Sequence, residues 1–272
     1  MIKKVVHLAD IHIRTFRLHD EYKEVFKSML SQLTDLLKDY KRDEIRIVIA
    51  GDLVHQKIVI SNEQLMLCTW FLRNLEKLAP VIVIAGNHDL LENNKDRVDS
   101  ITPIVQFLPD ANLNYFKESK CYLDDNIVWC VYSIFEGNKT PDIQSARKEF
   151  GDDKKYIGLF HAPLANAKTD IGYKFDHDHG AGLDIFEGCD MVMLGDIHKR
   201  QSFNHKGIII AYPSSLIQQD FGETVSNHGF LLWDIETKTF TEHNVDNRFP
   251  YYNFKITSLE DIENNKEVIK NL

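Results

Sequence analysis

Side chains that commonly bind metal ions occur in five short segments of this chain, and each segment follows a run of apolar residues. Aspartate, asparagine and histidine offer oxygen and nitrogen donors without thiolate, which suits manganese, iron or zinc rather than calcium or a structural zinc ion. Two such ions about 3.5–4 Å apart clamp the attacking and leaving oxygens of a phosphoryl group. The pattern therefore predicts a two-metal site, with candidate residues Asp10, His12, Asp52, His55, Asn87, His88, His161, Asp196 and His198.

The apolar runs before these segments have the length and composition of buried β-strands. They cover residues 5–6, 45–50, 81–85, 156–160 and 191–194. A buried strand followed by a short loop places its last residues at the rim of a sheet, which is where α/β proteins bind ligands. We therefore expect five such rims to deliver their polar side chains to one place.

The chemistry of the individual donors predicts separate roles. Asp10 and His12 are two positions apart after a strand, so both side chains lie on the same side of the chain. Asp52 can use both carboxylate oxygens and is the natural bridge between two cations. His88 is not needed as a ligand and is placed to give a proton to the departing oxygen. The amide oxygen of Asn87 and the imidazoles of His161 and His198 are further donors.

Each motif taken alone has an ordinary structural interpretation. A lone Asp-x-His is common, Gly51-Asp52 resembles a turn, and an isolated His161 fits a structural histidine. The joint occurrence of all five segments, in order and each after a strand, favours the functional interpretation. The other histidines lack this context; they are His7, His19, His177, His179, His205, His228 and His243.

The remaining pattern predicts an α/β fold. Apolar residues at helical spacing indicate a helix from about residue 21 to 40 and a second over 62–78, with Ser61 as N-cap and Pro80 after its end. Later segments indicate consecutive strands at 127–134, 156–160, 191–194, 208–211 and 230–235. The change from alternating strands and helices to consecutive strands predicts two sheets packed face to face with helices outside, an α/β/β/α sandwich.

The chain is expected to divide near residues 246–250. Residues 1–245 would form the main domain. After the boundary, 251–256 resemble one strand and 259–268 one helix, which is too little for an independent core. We therefore expect residues 246–272 to be the beginning of a capping domain that is either small or truncated.

Composition narrows the function less than the motifs do. No apolar stretch approaches the roughly 20 residues that span a bilayer. The net charge of −9 argues against a broad basic surface for nucleic acid, but two divalent cations would let an acidic chain accept a phosphodiester at one focused site. The four cysteines show no paired metal spacing and are interpreted as reduced core residues of a cytoplasmic protein.

The ordered motifs resemble the calcineurin-like metallophosphoesterase family, whose pattern is Asp-x-His, Gly-Asp, Gly-Asn-His, a lone His and Gly-His-x-His. Three features resemble its DNA-repair nuclease branch, the SbcD type and its phage relatives. They are His55 three residues after Asp52, the segments 212–216 (Tyr-Pro-Ser-Ser-Leu) and 221–223 (Phe-Gly-Glu), and 228–230 (His-Gly-Phe) before a strand. This resemblance extends over residues 1 to about 240.

The resemblance implies a manganese-dependent DNA exonuclease or endonuclease of recombination and repair, with magnesium as the alternative metal. One ion would be held by Asp10, His12 and His198, and the other by Asn87, His161 and Asp196, with Asp52 bridging. His88 would be the catalytic acid, and His55 would stabilise phosphate or position the DNA end. Family members of this branch act as dimers with an SbcC-type coiled-coil ATPase.

Position 196 departs from the family pattern, which usually has histidine there. An aspartate is a harder, anionic ligand, so we expect the site to favour manganese or magnesium further. Two other functions remain as alternatives: a phosphomonoesterase or small-molecule phosphodiesterase on the same scaffold, and a scaffold module without catalysis. His55 and the segment 212–216 argue against the first, and the retention of all seven ligand positions argues against the second.

Overall fold

The computed structural model describes residues 1–270, which form two six-stranded β-sheets with α-helices outside them. The strands of the first sheet are β1 (Lys4–Leu8), β2 (Ile45–Ala50), β3 (Val81–Ile84), β4 (Leu113–Tyr115), β11 (Gly229–Asp234) and β12 (Thr239–Asn244). Their order across the sheet is β12-β11-β1-β2-β3-β4. The strands β1 to β4 are parallel, and β11 joins β1 in antiparallel pairing.

The second sheet also has a parallel centre. Its strands are β5 (Cys121–Asp124), β6 (Ile127–Tyr132), β7 (Lys155–His161), β8 (Met191–Gly195), β9 (Gln201–His205) and β10 (Ile208–Tyr212). They lie in the order β5-β6-β7-β8-β10-β9, with antiparallel pairing only at the two edges. Central parallel strands are buried on both faces, which explains the continuous apolar sequences of β3 and β6.

The helices are α1 (His19–Leu37), α2 (Asn62–Leu78), α3 (Ile101–Gln106), α4 (Ile143–Phe150), α5 (Leu259–Asn264) and α6 (Lys266–Lys270). The first two pack on the outer face of the first sheet, where Phe26 and Phe71 stack with ring centroids 4.0 Å apart. The inner faces of the two sheets meet around Trp129 and Trp233. Since α4 packs on the far side of the second sheet, the layers are α/β/β/α, as predicted.

The central elements agree closely with the sequence prediction. The helix over 62–78 has its predicted bounds, and the Ser61 hydroxyl accepts a hydrogen bond from the Gln64 amide at 3.1 Å. The predicted strand 127–134 ends early, at Tyr132, because Ser133 begins a 3₁₀ turn by accepting a hydrogen bond from Phe135 N. No helix among the described residues combines the length and the apolar character needed to cross a membrane.

The prediction for the C-terminal segment was wrong in part. Residues 251–256 form no strand. At Tyr251 the backbone groups bond to the side chain of Gln218, whose Oε1 accepts from Tyr251 N at 2.8 Å and whose Nε2 donates to Tyr251 O at 3.1 Å. The predicted helix 259–268 is interrupted at Asn265 and becomes α5 and α6. Residues 271–272 of the predicted capping segment lie outside the described residues.

Candidate metal centre

The loops that follow β1, β2, β3, β7 and β8 meet at one edge of the molecule, where the carboxyl ends of the parallel strands of both sheets converge. Backbone hydrogen bonds join the first two loops. Asp10 N donates to Gly51 O at 3.1 Å, and His12 N donates to Asp52 O at 2.9 Å. The two sheets are also linked here, because His161 Nδ1 donates to Ala50 O at 2.7 Å. The predicted donor segments are therefore brought together.

Four of the predicted ligands have left-handed backbone conformations. The φ angles are 53° at Asp10, 51° at His12, 54° at Asp52 and 92° at Asp196. A residue other than glycine in this region costs on the order of 1–3 kcal/mol, and such residues cluster at active sites where the surrounding contacts hold them in place. Contacts within the cluster therefore hold these four residues in backbone conformations that a free loop would seldom adopt.

One group of donors surrounds His12. Its Nε2 atom is 3.0 Å from His198 Nε2 and 3.4 Å from Asp52 Oδ2, and His198 Nε2 is 3.9 Å from Asp10 Oδ1. Donors about 2.1 Å from a shared ion lie about 3–4 Å from one another. Asp10, His12 and His198 therefore have the spacing of a metal-binding group.

A second group surrounds His161. Its Nε2 atom lies 3.2 Å from Asn87 Oδ1, 3.3 Å from Asp52 Oδ2 and 3.8 Å from Asp196 Oδ1. The same Asp52 oxygen thus faces both groups. The other oxygen, Oδ1, accepts a hydrogen bond from His88 N at 2.8 Å. One carboxylate oxygen of Asp52 therefore lies near both groups, and bridging by Asp52 stays a prediction.

His55 and His88 lie beside the first group. The Nδ1 atom of His88 donates to the carbonyl oxygen of His55 at 2.7 Å, and this bond does not involve His88 Nε2. The two imidazoles stack with centroids 5.1 Å apart, and His55 Nδ1 is 3.3 Å from His12 Nδ1. His12, His55 and His88 are also close enough to one another to share a cation.

Burial dominates the electrostatics of this cluster. Burial raises the pKa of Asp10 to about 7 and that of Asp89 to about 7, and it also raises the pKa of Asp196. Burial opposes ionisation of Asp52 too, but the neighbouring His161 holds the pKa of this carboxyl well below its usual value. Carboxyl groups crowded together away from water need compensating positive charge. The donor set therefore fits divalent cations.

Asp89 has a different environment from the other carboxylates. It accepts hydrogen bonds from Gly86 N at 2.8 Å, Val54 N at 3.0 Å and Leu53 N at 3.3 Å. These bonds fasten the loop after β2 to the loop after β3. The sequence contained this residue in the segment 86–89 but did not reveal its structural role.

Three residues that sequence reasoning left without a role lie behind His198. Glu223 Oε1 accepts a hydrogen bond from His198 Nδ1 at 2.5 Å, and Ser215 Oγ donates to Glu223 Oε2 at 3.0 Å. His228 Nδ1 is 2.9 Å from Ser215 Oγ. The motifs at 212–216, 221–223 and 228–230 were the only sequence signal for this network.

A cavity of about 700 Å³ opens beside the donors. Asn87, His161, Asp196 and His198 line it. Its lining also includes the apolar side chains of Phe160, Pro163, Ile171 and Phe175, the cations of Lys95 and Lys199, and the carboxylates of Glu92, Asp170, Asp220 and Glu223. A concave, partly apolar space next to clustered polar groups has the general character of a substrate site.

This fold and this cluster of oxygen and nitrogen donors indicate a metal-dependent phosphoester hydrolase. Residues 3–200 match the model of the calcineurin-like phosphoesterase family, and because the match covers most of the chain, the chain belongs to that family. The sequence-based family assignment is thereby confirmed. Proteins with the metallophosphoesterase fold use two divalent metal ions.

Two curated relatives are similar in sequence. An uncharacterized protein of Acanthamoeba polyphaga mimivirus is 39% identical over 273 residues, which cover 96% of this chain and 19% of that protein. The SbcD component of the nuclease SbcCD from Staphylococcus epidermidis is 26% identical over 268 residues, covering 86% of this chain and 66% of that protein. This chain therefore spans about a fifth of the first and 66% of the second.

Among solved structures, a dimetal phosphatase from Danio rerio aligns with a TM-score of 0.49 and 10% sequence identity, over 86% of this chain and 93% of that one.

Proposed function

We propose that this protein is a two-metal DNA nuclease that hydrolyses phosphodiester bonds in recombination, repair and DNA-end processing. The observation that carries the proposal is the position of Asp52 Oδ2, 3.4 Å from His12 Nε2 in one donor group and 3.3 Å from His161 Nε2 in the other. Similarity to the SbcD component of the SbcCD nuclease supports DNA as the substrate, at 26% identity.

The residues would hold the two ions as follows. Asp10, His12 and His198 would bind one ion; Asn87, His161 and Asp196 would bind the other, and Asp52 would be shared. Manganese is the proposed metal, with magnesium as the alternative, since three of the donor residues are carboxylates. When bound, the ions would activate the nucleophile and neutralise charge on the phosphoryl oxygens.

His88 would act as the general acid. Its Nδ1 proton is committed to the carbonyl oxygen of His55 at 2.7 Å, so a proton for the leaving oxygen can come only from Nε2. The bond from His88 N to Asp52 Oδ1 holds this residue against the shared donor. His55 stacks on the His88 ring and would orient it while contributing to phosphate binding.

The adjacent cavity supports a nucleotide substrate. Its volume of about 700 Å³ is enough for one nucleotide. Phe160 and Phe175 line the cavity and offer apolar surface for a base. Lys95 and Lys199 also line it, with Lys95 Nζ donating to Ile134 O and Lys199 Nζ 3.7 Å from Asp170 Oδ1. We therefore propose that the nucleotide next to the cleaved bond lies in this cavity.

Further parts of the proposal concern the cellular setting. The motifs resemble those of the recombination endonuclease subunit of T4-like phages, and we propose a corresponding role in a homodimer with an SbcC-type coiled-coil ATPase. Residues 1–245 would form the nuclease domain, and 246–272 the beginning of a capping domain. The proposed location is the cytoplasm, in a bacterial host if a phage encodes the protein.

The decisive experiment compares three substrates with purified, metal-free protein to which manganese is added. Labelled DNA should be cleaved, and EDTA should abolish cleavage. Rapid hydrolysis of para-nitrophenyl phosphate without DNA cleavage would replace the nuclease assignment by a phosphomonoesterase. Failure on DNA, para-nitrophenyl phosphate and bis-para-nitrophenyl phosphate, with two ions bound, would indicate a scaffold module. His88→Ala is the inactive control, and exposed His179→Ala is its matched histidine control.

A further inference from the structure

Three motifs that contribute no donor to the proposed metal site meet directly behind one of its ligands. They supply Ser215, Glu223 and His228. We propose that Glu223 is a positioning residue that fixes the orientation and tautomer of His198 for metal binding, and that Ser215 holds Glu223 in place. This inference rests on the proposed metal-dependent function.

Glu223 is held at both carboxylate oxygens. Oε1 accepts from His198 Nδ1 at 2.5 Å, whereas Oε2 accepts from Ser215 Oγ at 3.0 Å and from Gln219 N at 2.9 Å. The side chain is only 8% exposed. A buried carboxylate with donors on both oxygens cannot rotate without breaking one set of bonds, so it gives His198 a defined direction.

Ser215 contacts His198 a second time, through the backbone. Ser215 N donates to His198 O at 3.1 Å, so the same residue fixes the main chain of His198 and, through Glu223, its ring. His228 in turn locates Ser215: its Nδ1 atom is 2.9 Å from Ser215 Oγ, and its Nε2 donates to Thr224 O at 2.6 Å.

The consequence concerns which ring nitrogen can bind a metal ion. Because Nδ1 of His198 donates to Glu223, Nε2 is the nitrogen that remains for an ion, and it lies 3.0 Å from His12 Nε2. A carboxylate behind a ligand histidine also raises its basicity as a donor. His161 has a neutral partner in the same position, the carbonyl oxygen of Ala50. The two proposed metal positions therefore differ in the charge behind their histidines.

This asymmetry predicts that loss of Glu223 lowers the affinity for one ion and leaves the affinity for the other unchanged. The test titrates metal-free protein with Mn²⁺ by calorimetry and by electron paramagnetic resonance, without DNA. We expect Glu223→Gln to lower the affinity for one of the two ions about 10–100-fold. Ser215→Ala should lower the affinity for the same ion by a smaller factor, and it serves as the milder variant if Glu223→Gln fails to fold. Circular dichroism of the metal-free variants checks their folding.

Ser214→Ala is the matched control. Ser214 is a neighbouring buried serine whose hydroxyl accepts from Gly229 N at 3.1 Å, away from Glu223. It should bind both ions as the wild type does. Wild-type affinity for both ions in Glu223→Gln, or an equal loss in Ser214→Ala, would overturn the positioning role. A wild-type protein that binds no ion would instead refute the proposed function itself.

A kinetic comparison separates positioning from direct participation. With bis-para-nitrophenyl phosphate and saturating Mn²⁺, kcat of Glu223→Gln should recover to within a few-fold of the wild-type value, because excess metal fills the weakened position. At limiting Mn²⁺ the same variant should be at least about 10-fold slower. A kcat that stays low at every Mn²⁺ concentration, with both ions bound, would contradict a positioning role.

Discussion

His161 Nδ1 donates a hydrogen bond to the carbonyl oxygen of Ala50 across the interface between the two sheets, at a distance of 2.7 Å. His161 ends β7 in the second sheet, and Ala50 ends β2 in the first. This bond directs His161 Nε2 towards Asp52 and Asn87, whose nearest oxygens are 3.3 Å and 3.2 Å away. The position of this donor therefore depends on how the two sheets pack.

Asp52→Asn should abolish binding of both ions. The substitution keeps the size of the side chain, and its oxygen can still accept from His88 N, but an NH₂ group replaces the donor that faces both groups. Since partners behind a ligand change metal affinity 10–100-fold, we expect removal of the shared ligand to cost at least about 100-fold. Elemental analysis and Mn²⁺ calorimetry measure this loss. Exposed Asp178→Asn is the control, and two ions retained by Asp52→Asn would remove Asp52 from the proposed ligand set.

His88→Ala should leave both ions in place and slow the reaction. Removal of a general acid typically lowers the rate about 10²–10⁴-fold. Single-turnover cleavage of DNA at saturating Mn²⁺ gives the rate, and calorimetry gives the metal content of the same sample. Loss of one ion in this variant would show instead that the group formed by His12, His55 and His88 binds metal.

Asp196→His tests the residue that departs from the family pattern. It replaces an anionic oxygen donor by a neutral nitrogen donor, so relative activation by zinc or cobalt over manganese should increase. Removal of one negative charge should also favour phosphate binding, by about 1 kcal/mol if the site is partly screened, or roughly a fivefold decrease in KM. The measurement is the metal-activation profile of both proteins on one DNA substrate. Identical profiles and KM values would mean that Asp196 does not contact the metal.

Gly86→Ala should destabilise the donor cluster. A Cβ atom at this position would lie 2.6 Å from Asp52 N and 2.6 Å from His161 Nε2, closer than real Cβ contacts allow. Overpacking of this kind typically costs about 1–3 kcal/mol in the free energy of unfolding. Gly182→Ala is the matched control, because its Cβ would meet no atom within 4 Å. Equal unfolding midpoints in urea for the two variants would contradict the close packing around Gly86.

The free energy of unfolding should fall in mild acid because of the buried His7. This residue is fully buried in β1, its Nε2 donates to Leu194 O at 2.9 Å, and burial lowers its pKa to about 3. Between pH 6.5 and 3 the unfolded chain therefore binds a proton that the folded chain does not, so stability falls as the pH falls. From pH 7 to pH 5 the loss from this group is about 2 kcal/mol.

The variant His7→Gln removes the titrating group but keeps a side-chain donor for Leu194 O. Its free energy of unfolding in urea should decrease less than that of the wild type between pH 7 and pH 5. The difference between the two decreases should be about 2 kcal/mol. Parallel pH dependence in the two proteins would show that His7 is protonated in the folded state.

The central strands and the donor segments were readable from the sequence because each signal is local. The strand β3 is buried throughout and continuously apolar, and β2 is interrupted only by the partly buried Arg46. The donor segments follow these strands closely along the chain. The helix 62–78 was equally clear, since its apolar spacing and its Ser61 cap lie within one segment. The family match followed from the same local motifs.

The short edge strands escaped prediction for the opposite reason. The strands β9 and β12 are partly exposed and polar, so their sequences carry no continuous apolar signal. Residues 251–256 show the converse case. Their sequence is compatible with a strand, but the backbone groups of Tyr251 bond to the side chain of Gln218, 33 residues away.

The family resemblance implied how the donors are grouped, but only the tertiary structure decided which atoms face one another. Whether Asp52 faces its two neighbours with one oxygen or with two depends on the His88 amide, which takes Oδ1. The link between Glu223 and His198 joins residues 25 positions apart on separate loops. Composition and periodicity report whether an element is buried, whereas the partner of a polar atom is set by how sheets and loops pack, which no local pattern encodes.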